Sequence, residues 1–297
     1  GFPKAHAASY ARVAWQAAWC KTHFPAEIMA AVLANGGGYY SQRVYLSETR
    51  RMGITVRPPH INHSGQRFGV RYPGGQALVY MGLDQVSGLS QQTQKRIIQE
   101  RPFSSLNDFL TRVNPRRVEV ENLVQAGGLD GFGNIPTILK SISMGSWRKN
   151  QFNLFDWQAN ADTIQDWSLK EKAQAQERIL GVSVDVHPLE LVNDQIRAAG
   201  AISSSAMGTQ LGKSIVVAGL RNSSHRTRTA RGELMLFLSL EDLDGMLEVV
   251  FFPPVYHQFR QVLRSNGPFL IRGIVEQDSE EGDMWLRAEK VKALIVG

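Results

Sequence analysis

The chain has 297 residues, enough for two or three domains with cores of their own, and 43% of them are hydrophobic, the composition of a soluble globular protein. Its apolar runs all fall short of the roughly 18–20 residues of a membrane span, so no membrane partner is expected. The single Cys20 excludes an internal disulfide and a cysteine-based metal cluster, which suits a reducing, cytoplasmic compartment.

Charge is uneven. Residues 1–158 carry 18 Lys and Arg against 9 Asp and Glu, and the remainder carries 15 against 18. A basic N-terminal half favours an acidic polymer as partner, although a ribosomal or membrane-surface protein has the same balance. There is no signal peptide. The chain opens Gly1-Phe2-Pro3 without a methionine, so it reads as cut from something longer.

Residues 5–34 predict one or two helices. Alanines recur at 5, 8, 11, 14 and 17 among Tyr10, Val13, Trp15 and Trp19, and Pro25 opens the second helix where proline is tolerated. Gly36-Gly37-Gly38 ends it. A phosphate cradle is the rival reading, but no strand precedes the glycines and no Lys-Ser/Thr follows. Ser41 to Arg51 predicts a third helix and Ile54-Thr55-Val56 a short strand. A β-hairpin is expected over 68–72 and 77–80, turning at Pro73-Gly74-Gly75.

Met81 to Ser90 followed by helical Gln91 to Glu100 reads as a helix-hairpin-helix. Its first helix would close at Val86, and Gly88-Leu89-Ser90 would form the hairpin. Such hairpins hold DNA through backbone N–H groups at a helix start, which requires close approach by a phosphate. Ser90 stands where a second glycine is usual. A second unit is expected from Val118 to Ser143, with its turn at 127–133 carrying Gly131 and Gly133. Arg112, Arg116 and Arg117 lie between the two. A plain helical turn is the alternative for either unit.

Gln151-Phe152-Asn153-Leu154-Phe155 puts a short apolar pair on a polar segment, the pattern of a docking peptide: Leu154 and Phe155 would enter an apolar pocket and the Gln151 amide would satisfy its rim. Leu169 to Leu180 is a predicted helix capped by Gly181. His187-Pro188-Leu189 begins the next turn, Asn193 to Ala199 continues it, and Ser203-Ser204-Ser205 reads as a linker.

The C-terminal stretch, Lys213 to Val296, predicts three strands, a helix and two more strands, the order of an OB barrel. The strands are expected over 214–220, 234–240, 247–252, 268–276 and 284–296, with the helix at 255–264. Arg221 to Gly232 is read as the loop joining the first two strands. It holds Arg221, His225, Arg226, Arg228 and Arg231 with no acid, a composition that suits phosphates. The loop before the last strand is acidic instead, with Asp278, Glu280, Glu281 and Asp283. A barrel used only as a protein scaffold, with a solvated basic loop, is the alternative.

Gly1-Phe2-Pro3-Lys4-Ala5-His6-Ala7-Ala8-Ser9-Tyr10-Ala11 resembles a stretch of the bacterial C-family DNA polymerases, the polymerase III alpha subunits and their error-prone relatives. The resemblance continues through Phe24-Pro25-Ala26-Glu27, Arg50-Arg51-Met52-Gly53-Ile54, Pro58-Pro59-His60-Ile61-Asn62, Arg101-Pro102-Phe103 and Ala126-Gly127-Gly128-Leu129-Asp130. It reaches His187-Pro188-Leu189 and the barrel. It implies an α+β multidomain fragment from the C-terminal region. Residues 1–75 would end the fingers domain, 76–150 would be tandem helix-hairpin-helix units on duplex DNA, and 151–157 would be a sliding-clamp peptide. Residues 158–207 would be a helical connector, and 208–297 an OB domain meeting single-stranded template.

It further implies that Lys4 and His6 lie near the incoming nucleotide; the rival reading has His6 capping the first helix. Ala5 replaces the serine usual in the family. The family's chemistry is nucleotidyl transfer assisted by metal ions held on palm carboxylates. Nothing in these 297 residues resembles that palm, so no catalytic residue and no metal ligand is assigned here, and Mg2+ is implied only for the parent polymerase. The role would be in replication or error-prone repair synthesis. A stand-alone single-strand binder or repair scaffold is the rival.

Overall fold

The structure, a computed structural model, describes residues 3–144, 164–277 and 282–295. The docking peptide at Gln151, Leu154 and Phe155 lies outside the described residues. Contacts divide the chain into two compact units, Gly1–Asp185 and Val186–Gly297. The boundary falls inside the segment expected as a single connector.

Unit 1 opens with α1 (Lys4–His23), an alanine-rich helix with no buried residue. In α2 (Pro25–Ala34), Pro25 sits at the first helical position, where a missing N–H costs nothing, and Ala26, Met29, Ala30 and Leu33 are buried. Helix α3 (Gln42–Arg51) buries Val44 and Leu46. The expected hairpin forms from β2 (Gly69–Arg71) and β3 (Leu78–Tyr80), and β1 (Thr55–Arg57) adds to it in parallel, giving the order β1-β3-β2.

Four helices follow: α4 (Gln91–Glu100), α5 (Leu106–Val113), α6 (Arg117–Gln125) and α7 (Ile135–Met144). The first hairpin departs from expectation. Its leading helix is a single 3-10 turn, Leu83–Gln85, because the chain turns extended at Val86. Helix α5 was not anticipated; Ser105 caps it by accepting from Asp108 N at 3.1 Å, and Phe109 on its inner face is fully buried. Helix α8 (Leu169–Leu180) has both of its expected ends. Ser168 and Glu171 form a capping box, and Gly181 stops the helix at φ 75°, a left-handed conformation glycine adopts at low cost.

Unit 2 begins with α9 (Asn193–Ala198). Ser203-Ser204-Ser205 is not a free linker. It leads into a 3-10 segment, Ser204–Gln210, and the Asp242 carboxylate accepts from Ser204 N and Ser204 Oγ. The barrel follows in the expected order: β4 (Ser214–Arg228), β5 (Leu234–Glu241), β6 (Met246–Phe251), α10 (Pro253–Phe259), β7 (Phe269–Gln277) and β8 (Met284–Ala293). It closes as β4-β5-β6-β8-β7, an OB barrel. Alternate residues fill it: Leu236, Leu238 and Leu240 from β5 meet Leu247, Val249 and Phe251 from β6 and Phe269 and Ile271 from β7. Pro253 ends the strand and also starts α10, at a helix position where proline loses no hydrogen bond.

One barrel expectation is corrected. Arg221, Arg226 and Arg228 do not lie in a loop. Strand β4 continues through them, pairing Ser223↔Ser239 to Arg228↔Leu234 with β5 after a bulge between Arg221 and Ser223. Only Thr229 to Glu233 turns. The bulge takes one extra residue into β4, bends the strand and carries its second half away from β7, which β4 leaves after Gly219. The second half of β4 thus forms an edge arm paired only with β5, whose Leu236 to Ser239 also pair with β6.

Candidate nucleic-acid interface

At the first hairpin, Gly88 is exposed with φ 76°. A Cβ there would meet Asn122 Nδ2 at 3.3 Å, and that amide already donates to Ser87 O at 2.8 Å. Ser90 is the N-cap of α4: its Oγ accepts from Thr93 N at 3.3 Å. Ser90 N donates to Glu119 Oε1 at 2.9 Å.

Glu119 organises this site. It is 1% exposed and also accepts from Thr93 Oγ1 at 3.1 Å, Arg116 N at 2.8 Å and Arg116 Nη2 at 3.2 Å. Burial pushes its carboxyl up. The Arg116 side chain and backbone, with Ser90, outweigh that and hold it down at about 2. Glu119 therefore joins α6 to the start of α4 and consumes one of the helix's open donors. The N–H groups of Gly88, Gln91 and Gln92 have no partner among the described residues. These three are the donors an anion would meet.

The second hairpin is built differently. Gly131 and Gly133 have φ 86° and 137°. The start of α7 is already occupied: Thr137 N donates to Asn134 Oδ1 at 2.9 Å, Ile135 N donates to Asp166 Oδ1 at 3.0 Å, and Pro136 has no N–H. The hairpin N–H groups of Gly131 and Gly133 have no partner among the described residues. They border a cleft of about 670 Å³ lined also by Arg57, His60, Lys172 and Asp185. Burial pushes the Asp185 carboxyl up despite a bond from Gln176 at 2.6 Å. Asp130 and Asp166 share the cleft, so its mixed charge does not favour a polyanion. Between the hairpins, Arg116 and Arg117 stay largely exposed while paired with Glu119 and Glu121.

Lys4 is the first residue of α1 and His6 the third. Pro3 is the N-cap, with no side-chain bond, and the His6 ring meets Tyr10 edge-on at 4.7 Å.

In the barrel the sequence-predicted basic cluster is separated. Arg221 is turned inward: its Nη2 donates to Leu263 O, and its guanidinium lies 5.7 Å from the Phe269 ring. Burial, then the neighbouring Arg226, lower its pKa. Arg228 Nη1 donates to Gly232 O at 2.7 Å and closes the turn, where Arg231 is exposed. Arg226 and Arg228 occupy alternate positions, opposite Leu236 and Leu234. His225, beside Arg226 on the strand, faces the other way, and its ring stacks on Phe237 at 4.7 Å with planes 3° apart. Two features escaped the sequence reading: the Glu119 network and this stacked pair. The spacing of Met235, Phe237 and Ser239 against inward leucines is the signal that marks Phe237 as outward.

Among the described residues no group of three or more His, Cys, Asp or Glu could hold a metal ion. Among the same residues no helix is long and apolar enough to cross a membrane.

A model described as "Helix-hairpin-helix motif" matches residues 53–135. An "Error-prone DNA polymerase" from Corynebacterium efficiens is 30% identical over 302 residues, covering 100% of this chain and 27% of that protein. A "DNA polymerase III subunit alpha" from Vibrio cholerae is 28% identical over 321 residues, covering 99% and 27%. The chain thus spans about a quarter of the length of these relatives. A solved structure of the yeast mitochondrial single-stranded DNA binding protein Rim1 covers 28% of this chain and 95% of that one, at 12% identity and TM-score 0.25, too low to carry an argument. Similarity over the whole chain to polymerases of two kinds, with a helix-hairpin-helix region and an OB barrel in one sequence, leads to one conclusion: the chain belongs to the family of DNA polymerase III alpha subunits and error-prone DNA polymerases.

Proposed function

We propose that this chain is the DNA-handling and clamp-tethering part of a bacterial replicative or error-prone DNA polymerase, acting in the cytoplasm. The observation that carries the reading is the first hairpin, where left-handed Gly88 and the open N–H groups of Gly88, Gln91 and Gln92 offer a phosphate its donors without a side chain in the way. The first hairpin is the main hold on duplex DNA, with Arg116 and Arg117 on the same unit, and the open N–H groups of Gly131 and Gly133 are a weaker second point of approach because Asp130 and Asp166 share their cleft. The OB barrel takes single-stranded template on its arm, with Arg226, Arg228 and Arg231 toward phosphates. Gln151, Leu154 and Phe155 dock the sliding clamp, and Lys4 and His6 lie near the incoming nucleotide. Nucleotidyl transfer, with its Mg2+, belongs to palm carboxylates beyond these residues.

The test is a calorimetric titration of the chain with its cognate sliding clamp. Wild type is expected to bind, and a Leu154→Ala/Phe155→Ala double variant to lose binding while keeping its circular dichroism melt. An unchanged affinity in the variant overturns the clamp assignment.

A further inference from the structure

We infer that His225 and Phe237 form a base-stacking station on one face of the barrel arm. The inference rests on the single-strand reading of the barrel and assigns the residues that contact the bases.

The arm has two faces because side chains alternate along a strand. On one face lie Arg226 and Arg228, in register with Leu236 and Leu234. On the other lie His225 and Thr227, in register with Phe237 and Met235, and Ser223 opposite Ser239. That second face carries no acid over these six positions. A basic segment thus presents an uncharged, partly aromatic strip on one side and guanidinium groups on the other. A flat apolar ring fits the uncharged strip, the charged backbone that carries it runs along the free edge of β4, and single-stranded DNA has that chemistry.

The ring pair itself is set for stacking. The planes are nearly parallel and the ring centres lie 4.7 Å apart. Phe237 is half-buried beneath, and His225 is exposed above. The upper face of the imidazole is where a base would add a third layer. Cross-strand pairing holds both rings from the backbone, since His225 and Phe237 are direct partners in the β4–β5 ladder. The station is therefore preorganised, and little side-chain freedom remains to be lost on binding.

The strip also has an end. In the next row Ser239 is the partner of Glu248, and Glu248 is the partner of Trp285. Trp285 packs near Phe252 at 6.1 Å and is aromatic too, but the exposed Glu248 beside it repels phosphates. The observations carry the station at His225–Phe237 and no farther across the sheet.

The experiment compares binding of the 297-residue chain to labelled oligothymidylate and to an abasic strand of equal length, which keeps the phosphates and lacks the bases, by fluorescence anisotropy across a salt series. Stacking is worth about 1–3 kcal/mol per base, so wild type should prefer oligothymidylate by about fivefold or more. A His225→Ala/Phe237→Ala variant should bring that ratio close to one and leave both the abasic affinity and the salt slope unchanged. His225→Ala alone removes an exposed ring and serves if the double variant melts early. A preference that survives in the variants overturns the station. Equal, salt-dependent binding of both strands by wild type also overturns it while the single-strand reading stands. Binding of neither strand by wild type overturns the single-strand reading itself.

Discussion

Glu119 shows how one buried acid can hold a binding motif in shape. Its carboxylate is nearly inaccessible and satisfied by donors from Ser90, Thr93 and Arg116. Its folded pKa of about 2 lies below the ordinary value of 4.5, so the charged form is favoured in the folded chain. The stabilisation it brings is fully present above pH 4.5 and is lost as pH falls toward 2, about 3 kcal/mol in all. Glu119→Gln should remove most of that pH dependence, which urea unfolding at pH 7 and pH 3 would measure. Equal pH dependence in wild type and variant would show that the acid's bonds are made in the unfolded chain as well. Gly88 is legible in the sequence for a local reason: a glycine before a helix-capping serine marks a left-handed turn. Glu119 is not, because its partner Ser90 lies 29 residues away.

At the scale of elements, the arm of β4 and β5 separates arginines that the sequence groups together. Arg221 supports the barrel from inside, holding the Leu263 carbonyl, while Arg226 and Arg228 lie on the exposed arm. Arg226→Ala/Arg228→Ala should weaken single-strand binding and flatten its salt slope by about one unit for each phosphate left without its arginine. Arg221→Ala should lower the melting temperature and leave that slope unchanged, because it removes a partly buried side chain that holds a carbonyl and covers a ring. The pair of variants, followed through a salt titration and a thermal melt, distinguishes the two roles. If the slope changes with Arg221 and not with the other two, the assignment reverses. The strand order and most strand limits were legible from alternation and turns. The extension of β4 to Arg228 was not: Ser223-Ser224-His225-Arg226-Thr227-Arg228 lacks apolar alternation, and it is a strand because β5 supplies a partner for each residue.

For the whole molecule, two units with separate cores carry distinct candidate surfaces, a hairpin in Gly1–Asp185 and a barrel arm in Val186–Gly297. The chain covers about a quarter of the polymerases it resembles, with no acidic cluster for a metal among the described residues. With Mg2+ and the four nucleotides, it should bind a primed template and add nothing to the primer on a denaturing gel. Extension by the purified chain would overturn the assignment of the chemistry to residues elsewhere.

The sequence by itself determined most of the helices and their caps, the glycines that must turn left-handed, the strand order of the OB barrel and the polymerase family. Each of these is written within a few residues, as periodicity, a cap or a turn, or repeated along the whole length as a resemblance. Only the tertiary structure decided which donors remain open at each hairpin, which arginine the barrel keeps, and which face of the arm His225 shares with Phe237. Those outcomes depend on register and on hydrogen bonds between distant segments. A shift of one residue in strand pairing would exchange the two faces of the arm while leaving every local pattern intact.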